Sequence, residues 1–189
     1  KTGGLIPEPG YETRFKNSSF DAQHCHGVLG GFSVLKRAAD EHQTDRKVSY
    51  RFDPAVSDEE RESVYASIKN QLSDDTAVFM VEDPETYIID CLPDFCTKQT
   101  VVRHIAQLED IPPHRVLVMG NSNNDIPMFS PDFNGVAVGD ARASLKVHVE
   151  GLQDSVRISA GSSEKQATHF IAPKPHAEGV MWGLDRFGL

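Results

Sequence analysis

The sequence has 189 residues, of which 39% are hydrophobic and 25% are charged, and this composition excludes a disordered or fibrous protein. Its 28 acidic against 19 basic residues give a net charge of −9. That balance disfavours binding to the backbone of a nucleic acid, although it permits a small phosphorylated ligand in a local pocket. The length predicts one domain, or two small ones that share a core.

The cysteines Cys25, Cys91 and Cys96 show neither a CxxC nor a zinc-type spacing. We interpret them as reduced thiols, which favours a cytoplasmic protein. No apolar run approaches the ~20 residues needed to cross a bilayer, so we expect no membrane partner. The segment Lys1–Ile6 is not typical of a signal peptide.

The first part of the chain predicts strands backed by a helix, which is a small α+β layer. Turn-forming and charged residues at 7–17 favour a connection. The histidines His24 and His26 lack further ligands at the spacing of a metal site, so we interpret the His24–His26 segment as loop or surface. Three segments are predicted to be strands because their polar and apolar side chains alternate or because they are largely apolar. A helix of about four turns is predicted where a capping box precedes apolar residues spaced four apart. These are strands Lys47–Phe52, Ala77–Val81 and Tyr87–Leu92, and a helix after Ser57 with Val64, Ile68 and Leu72 on its apolar face.

Beyond Pro93 the chain alternates helix and strand, which indicates an open parallel sheet. Helices are predicted over Lys98–Glu109, with Val101, Val102, Ile105 and Leu108 on one side, and over Pro175–Arg186. Strands are predicted over Val116–Met119, Gly135–Val138 and His169–Ala172. We therefore place a boundary near residue 92.

The segment Gly120–Met128 directly follows a predicted buried strand, where open α/β sheets bind their ligands. Its small polar side chains supply the hard oxygen atoms that Mg²⁺ takes together with water and substrate phosphate. Asp125 is followed by Ile126 and Pro127, which is also typical of a helix N-cap, so both interpretations of this carboxylate stay open. Lys98 opens a helix, where a cation and a helix N-terminus favour a phosphate site; the alternative is a solvated surface lysine.

These features together resemble the last third of a haloacid-dehalogenase-superfamily phosphatase. Members of that superfamily carry a lysine, then a G-D-S-x-N-D-x-x-M loop, then a strand that ends in a V-G-N-A-like turn. Here Lys98 precedes Val116–Met128 and Gly135–Ala141 in the same order. The resemblance implies an α/β fold, in which residues 93–189 form the C-terminal part of a Rossmannoid parallel-sheet core.

The nearest branch is the sucrose-phosphate phosphatase-like group, whose core carries an inserted α/β cap. Lys47–Tyr50 is similar to the K-V-S-Y/F strand of that cap, Tyr87–Pro93 to the strand that returns to the core, and Thr168–Phe187 to the closing strand and helix. The resemblance implies an α+β cap over residues 15–92, preceded by a remnant of the core and a linker over residues 1–14.

The resemblance implies Mg²⁺-dependent hydrolysis of a phosphate monoester through an aspartyl-phosphate. Lys98 would neutralise the nucleophile and the phosphoryl oxygens, Asn124 would bind the phosphate, and Asn121 and Asp125 fall on the two acidic positions that hold magnesium. This electrostatic arrangement is the one that phosphoryl transfer requires. On the cap strand, Lys47 and Ser49 either face the sugar or form the polar outer face of a half-solvated sheet.

Two departures from the family pattern shape the hypotheses. The D-x-D-x-T motif that supplies the family's nucleophile is absent from these 189 residues, and Asn121 replaces the leading aspartate of the loop. Since Gly3–Ile6 resembles the segment that follows the family's second motif, we expect a longer parent chain or missing strands supplied from elsewhere, including by self-association.

The leading hypothesis is a cytoplasmic, Mg²⁺-dependent sugar-phosphate phosphatase of the sucrose-phosphate type. The first alternative is a non-catalytic domain, as appended to sucrose-phosphate synthase, that binds a sugar phosphate or a partner. The second alternative is a phosphatase of mannosylglycerate or glucosylglycerate phosphate, which differs only in its substrate.

Overall fold

The computed structural model describes residues 8–83, 85–153, 156–158 and 165–189. The chain divides into two compact units, the first ending at Cys96 and the second beginning at Thr97. The resemblance drawn for Gly3–Ile6 lies outside the described residues. No helix in the described part of the chain has both the length and the apolar character needed to cross a membrane.

The first unit is an antiparallel sheet of four strands, in the order β1-β2-β4-β3, with helices on one face. Leu29 of α2 and Ile68 of α3 are fully buried in the same core as Val48, Ile89 and Cys91, so both helices cover that face. The elements are α1 (Pro9–Asn17), α2 (Ala22–Gly30), β1 (Leu35–Arg37), β2 (Val48–Phe52), α3 (Asp58–Gln71), β3 (Thr76–Glu82) and β4 (Tyr87–Pro93).

The second unit contains a parallel sheet of three strands in the order β5-β6-β9, and this confirms the predicted α/β class. Its core includes Val118, Phe133, Leu145 and Val149. The elements are α4 (Lys98–Leu108), β5 (Leu117–Gly120), β6 (Asn134–Ala137), α5 (Ala143–Gln153), β7 (Val156–Ile158), β8 (Lys165–Ala167), β9 (His169–Ile171) and α6 (His176–Phe187). Strands β7 and β8 pair with each other in an antiparallel ladder.

Two segments of the first unit are α-helical where the sequence predicted no helix. The predicted connection at residues 7–17 is wrong from Pro9 onward, because the Glu8 carboxylate accepts hydrogen bonds from the N–H groups of Gly10 and Tyr11 and so caps α1. For His24–His26 the loop interpretation is also wrong, whereas the surface interpretation agrees with the exposure of His24. Asp21 caps α2 in the same way, and Cys25 within that helix is only 1% exposed.

The predicted strands and helices of both units are otherwise present with ends shifted by one or two residues. The apolar side predicted for α4 is buried only in part, since Ile105 and Leu108 are 52% and 57% exposed. Val102 and Ala106, four residues apart, supply the inward stripe instead, and the two exposed residues lie on the adjoining face of the helix.

Candidate functional site

The polar loop that follows β5 is closed by its own side chains. Ser122 caps a 3₁₀ helix over Asn123–Met128, and Asp125 is the third residue of that helix. The two residues form a reciprocal capping box, with Asp125 only 3% exposed. The interpretation of Asp125 as the N-cap is therefore wrong, because Ser122 takes that position.

The Asp125 carboxylate organises the loop through its oxygen Oδ2. This atom accepts hydrogen bonds from the N–H groups of Asn121, at 2.9 Å, and Ser122, at 3.1 Å. Gly120 makes room for this approach, since a Cβ atom there would lie 2.6 Å from the Cβ of Asp125. The glycine at the end of β5 is thus a steric requirement of the loop.

Substitution of Gly120 by alanine is expected to displace the loop and to destabilise the second unit by about 1–3 kcal/mol, as overpacking typically does. Asp125 cannot move aside without losing its hydrogen bonds. Gly151→Ala is the matched control. Gly151 is a helical glycine, and a Cβ atom added there would have no heavy atom within 4 Å. Thermal unfolding measures both variants, and equal melting temperatures for them would contradict the steric argument.

Lys98 begins α4 as predicted, with the Thr97 hydroxyl accepting the N–H of Thr100 as the N-cap. Its ammonium donates to Oδ1 of Asp125 and, at 3.3 Å, to Oδ1 of Asn124. The Lys98 side chain is 50% exposed and that of Asp125 4%. The structure therefore brings these three residues together at the carboxyl end of β5, with a half-exposed cation held on a buried carboxylate.

The orientation of the Asn124 amide follows from its partners. Its Oδ1 accepts hydrogen bonds from Lys98 and, at 2.5 Å, from the Ser122 hydroxyl. The Nδ2 group is therefore turned away from these two donors. A cation and an amide N–H are both groups that donate to a phosphoryl oxygen.

Asn121 is exposed and lines a pocket of about 230 Å³. The other residues that line it are Met119, Gly120, Val138, His176 and Val180. The carbonyl oxygen of Asn121 accepts the N–H of Arg142 at 2.8 Å, which ties this loop to the turn after β6. The pocket therefore lies at the carboxyl edge of the parallel sheet, beside the loop predicted to bind metal.

The sequence did not indicate that Asp140 and His176 belong to this edge. One oxygen of Asp140 accepts the N–H of His176 at 2.9 Å and the other lies 2.7 Å from its Nδ1. The hydrogen bond from the His176 N–H, followed by the nearby His176 and Lys146 side chains, holds the pKa of Asp140 below its usual value of 3.8. The sequence signal that could have identified them is their position, since each residue follows a strand of the parallel sheet.

Because Asp140 has a lowered pKa in the folded state, its carboxylate contributes stability above the unfolded pKa and loses it as the pH falls through the folded value. We expect the melting temperature of Asp140→Asn to fall less steeply than that of the wild type below about pH 4. Asp185→Asn, on the same helix as His176, is the control. The same dependence of melting temperature on pH in the wild type and both variants would contradict the expectation.

The residues predicted on the cap strand lie in the first unit. Lys47 directly precedes β2, and its side chain is 41% exposed. Ser49 is 1% exposed, and its hydroxyl donates to the carboxylate of Asp90 at 2.6 Å. Neither interpretation of Ser49 is therefore correct, because a buried hydroxyl can neither face a sugar nor form a solvated surface, whereas Lys47 is accessible.

The comparison with protein families decides which group this chain belongs to. The model of the sucrose-6F-phosphate phosphohydrolase family matches residues 1–188. The chain belongs to this phosphatase family. The resemblance drawn from Lys98 and the loop after β5 is thereby confirmed.

Solved structures of several other proteins share the fold. The sucrose-phosphatase of Synechocystis sp. PCC6803, in complex with sucrose and phosphate, has a TM-score of 0.78 and 21% identity over 99% of this chain and 69% of its own. Protein 0175 of Thermoplasma acidophilum has a TM-score of 0.60 and 15% identity over 89% and 63%. The phosphatase BT1666 of Bacteroides thetaiotaomicron has a TM-score of 0.51 and 17% identity over 78% and 44%. The chain thus spans about two thirds or less of these proteins.

The donor set of the loop fits one side of a magnesium site. In the described ranges, no group of three or more His, Cys, Asp and Glu side chains could hold a metal ion. The loop offers the amide oxygen of Asn121, an exposed residue, and the Oδ1 atom of Asp125, which Lys98 also contacts. Both are hard oxygen donors, and Mg²⁺ commonly takes one or two carboxylates and completes its six ligands with water and substrate phosphate.

Proposed function

We propose that the gene product containing these residues hydrolyses a sugar phosphate monoester, of the sucrose-6F-phosphate type, in the cytoplasm. The observation that carries the proposal is the convergence of Lys98, Asn124 and Asp125 at the end of β5, in a chain of the sucrose-phosphatase family. The net charge of −9 permits a small phosphorylated ligand in a local pocket, and the free thiols of Cys25, Cys91 and Cys96 agree with a reducing compartment.

In this proposal an aspartate outside these 189 residues, on a longer parent chain or a second chain, attacks phosphorus and breaks its bond to the sugar oxygen. A second aspartate of the same D-x-D-x-T motif gives its proton to that oxygen, so that the sugar leaves with a free hydroxyl. Water then cleaves the aspartyl-phosphate and releases inorganic phosphate. The Lys98 ammonium stabilises the negative charge on the phosphoryl oxygens throughout, since it is half exposed and held in place by Asp125. The Nδ2 group of Asn124 donates to one of those oxygens and fixes their orientation.

Asn121 and Asp125 are the residues that would hold magnesium. When bound, Mg²⁺ supplies positive charge to the transferring phosphoryl group. Asp125 also has a structural role that does not depend on the metal. Its carboxylate accepts hydrogen bonds from the Lys98 ammonium and from the backbone of the loop. On the first unit, the accessible Lys47 is proposed to contact the sugar part of the substrate.

The test is an assay of the purified gene product with sucrose-6F-phosphate, glucosylglycerate phosphate and mannosylglycerate phosphate, in Mg²⁺ and in excess EDTA. We expect release of phosphate in Mg²⁺ only, with sucrose-6F-phosphate the best substrate. A preference for a glycerate glycoside would change the substrate alone. An absence of turnover with every compound would overturn the proposed hydrolysis.

The second candidate function is binding of a sugar phosphate without hydrolysis. It is favoured by Asn121, which brings no negative charge to a position where the family loop carries aspartate. This candidate predicts that inorganic phosphate and the sugar phosphate bind in the absence of turnover. Asn121→Asp is expected to tighten Mg²⁺ binding about tenfold by adding a carboxylate ligand, as isothermal titration can measure. An unchanged Mg²⁺ affinity would exclude position 121 from the metal site.

A further inference from the structure

Two cysteines lie side by side in the core of the first unit. Cys25 of α2 is 1% exposed, and Cys91 of β4 is fully buried. They are 66 residues apart in the sequence, yet their side chains are hydrogen-bonded to each other. Both belong to the same core as Leu29 and Ile89. The fold therefore brings two thiols together in largely apolar surroundings.

Cys91 lies at the centre of the antiparallel sheet. Strand β4 runs between β2 and β3, and Cys91 is opposite Val48 on one of these strands and Val78 on the other. Cys25 belongs to a helix that covers this face, and its N–H donates to the carbonyl of the capping residue Asp21 at 3.0 Å. A covalent bond between the two sulfur atoms would thus join α2 to a central strand of the sheet.

The hydrogen bond between the two thiols makes them unequal. The Cys91 thiol donates to the Cys25 sulfur and holds the pKa of Cys25 below its usual value, whereas the same hydrogen bond, together with burial, raises the pKa of Cys91. The thiolate is the nucleophile in thiol chemistry, so Cys25 is the sulfur that reacts first. Cys96 differs from both, because it is only partly buried and burial raises its pKa to about 11.

The helix that carries Cys25 has the features of one that opens locally. Helix α2 has nine residues, and two of them, Gly27 and Gly30, have low helix propensity. A Cβ atom added at Gly27 would have no heavy atom within 4 Å, so this glycine is not required by packing. Transient opening of a short helix admits a small reagent to a buried side chain.

We propose that Cys25 and Cys91 form a redox site, in which hydrogen peroxide converts the two thiols into a disulfide that fastens α2 to the sheet of the first unit. A disulfide requires side chains that face each other, and the hydrogen bond between these two shows that they do. This site is separate from the proposed hydrolysis, since both cysteines lie in the first unit.

The reaction has two steps. The Cys25 sulfur attacks one oxygen of hydrogen peroxide, the O–O bond breaks, and the second oxygen leaves as water with the thiol proton, which leaves Cys25 as a sulfenic acid. The Cys91 sulfur then attacks the Cys25 sulfur, the S–O bond breaks, and the hydroxyl leaves as water with the Cys91 proton. The two thiols are thereby oxidised by two electrons, and the peroxide is reduced to two molecules of water.

The test treats the reduced 189-residue chain with hydrogen peroxide in native buffer, alkylates the remaining thiols after unfolding, and identifies the linked peptides by mass spectrometry. We expect a species that is lighter by two hydrogen atoms before alkylation, with Cys25 joined to Cys91 and Cys96 alkylated. Dithiothreitol should reverse the change. The oxidised chain is expected to melt about 10 °C higher than the reduced chain, because the disulfide closes a long loop of the unfolded chain.

Cys96→Ser is the matched control, and it should give the same linked peptides and the same rise in melting temperature. Cys91→Val replaces the thiol by an apolar side chain, and its melting temperature should be the same before and after peroxide. Modification of Cys96 alone, or a Cys25–Cys91 bond that forms only in chain unfolded by urea, would overturn the proposed site. A disulfide that leaves the melting temperature unchanged or lower would overturn the fastening of α2.

Discussion

Substitution of Lys98 by alanine is expected to lower sugar-phosphate turnover by the gene product about 10²- to 10³-fold, the range found when a donor to a developing negative charge is removed. The physical reason is that the Lys98 ammonium supplies positive charge to the phosphoryl group. Its side chain is half exposed, so it can reach a ligand, and Asp125 holds it in place. The measurement is kcat and KM with sucrose-6F-phosphate.

Arg103→Ala is the matched control for this prediction. Arg103 lies on the same helix, α4, and pairs with Asp132 at 2.6 Å with 37% of its side chain exposed. Its removal should leave turnover within about twofold, because a surface ion pair contributes little. Lys98→Arg keeps the charge in a different geometry and should retain part of the activity. Turnover by Lys98→Ala equal to that of Arg103→Ala would remove Lys98 from the site.

The 189-residue chain gives a second measurement that does not depend on turnover. Inorganic phosphate should bind to it with lower affinity after Lys98→Ala, by about tenfold, since one charge-assisted hydrogen bond is lost. Arg103→Ala should bind phosphate as the wild type does. The two measurements separate a role of Lys98 in binding from one confined to the chemical step.

The position of the site was predictable because it depends on strand order and helix starts. A fully apolar strand followed by Gly120 and a polar loop predicts a site at the edge of a parallel sheet, and Lys98 at the start of α4 predicts the cation. These are local signals, and the described contacts of Lys98 with Asn124 and Asp125 confirm their convergence. The roles of these residues in catalysis and metal binding stay predictions.

The remaining features depend on contacts between segments that are distant in the sequence. Asp140 and His176 are 36 residues apart and meet because β6 and β9 are neighbours in the sheet. Ser49 is buried, and its hydroxyl donates to Asp90, which lies 41 residues away on the next strand of the sheet. Local patterns could not distinguish Ser122 from Asp125 as the cap either, because both residue types favour that position.

Substitution of Asp125 by alanine is expected to have the largest effect on stability in the second unit. Asp125 is 3% exposed, and its carboxylate accepts hydrogen bonds from two backbone N–H groups in addition to the Lys98 ammonium. Removing it leaves these donors without their partner, which costs about 3–5 kcal/mol in total. For a unit of this size we expect the melting temperature to fall by more than about 10 °C.

Asp132→Ala is the control for this effect, since the Asp132 side chain is 55% exposed and its substitution should change stability by less than about 0.5 kcal/mol. Asp125→Asn keeps an acceptor and should lie between the two in melting temperature, yet be as inactive as Asp125→Ala, because Lys98 loses its counter-charge. A loss of activity that exceeds the loss of stability would show that the Asp125 carboxylate holds Lys98 as well as capping the helix. If Asp125→Asn is destabilised but remains active, only the capping role is left.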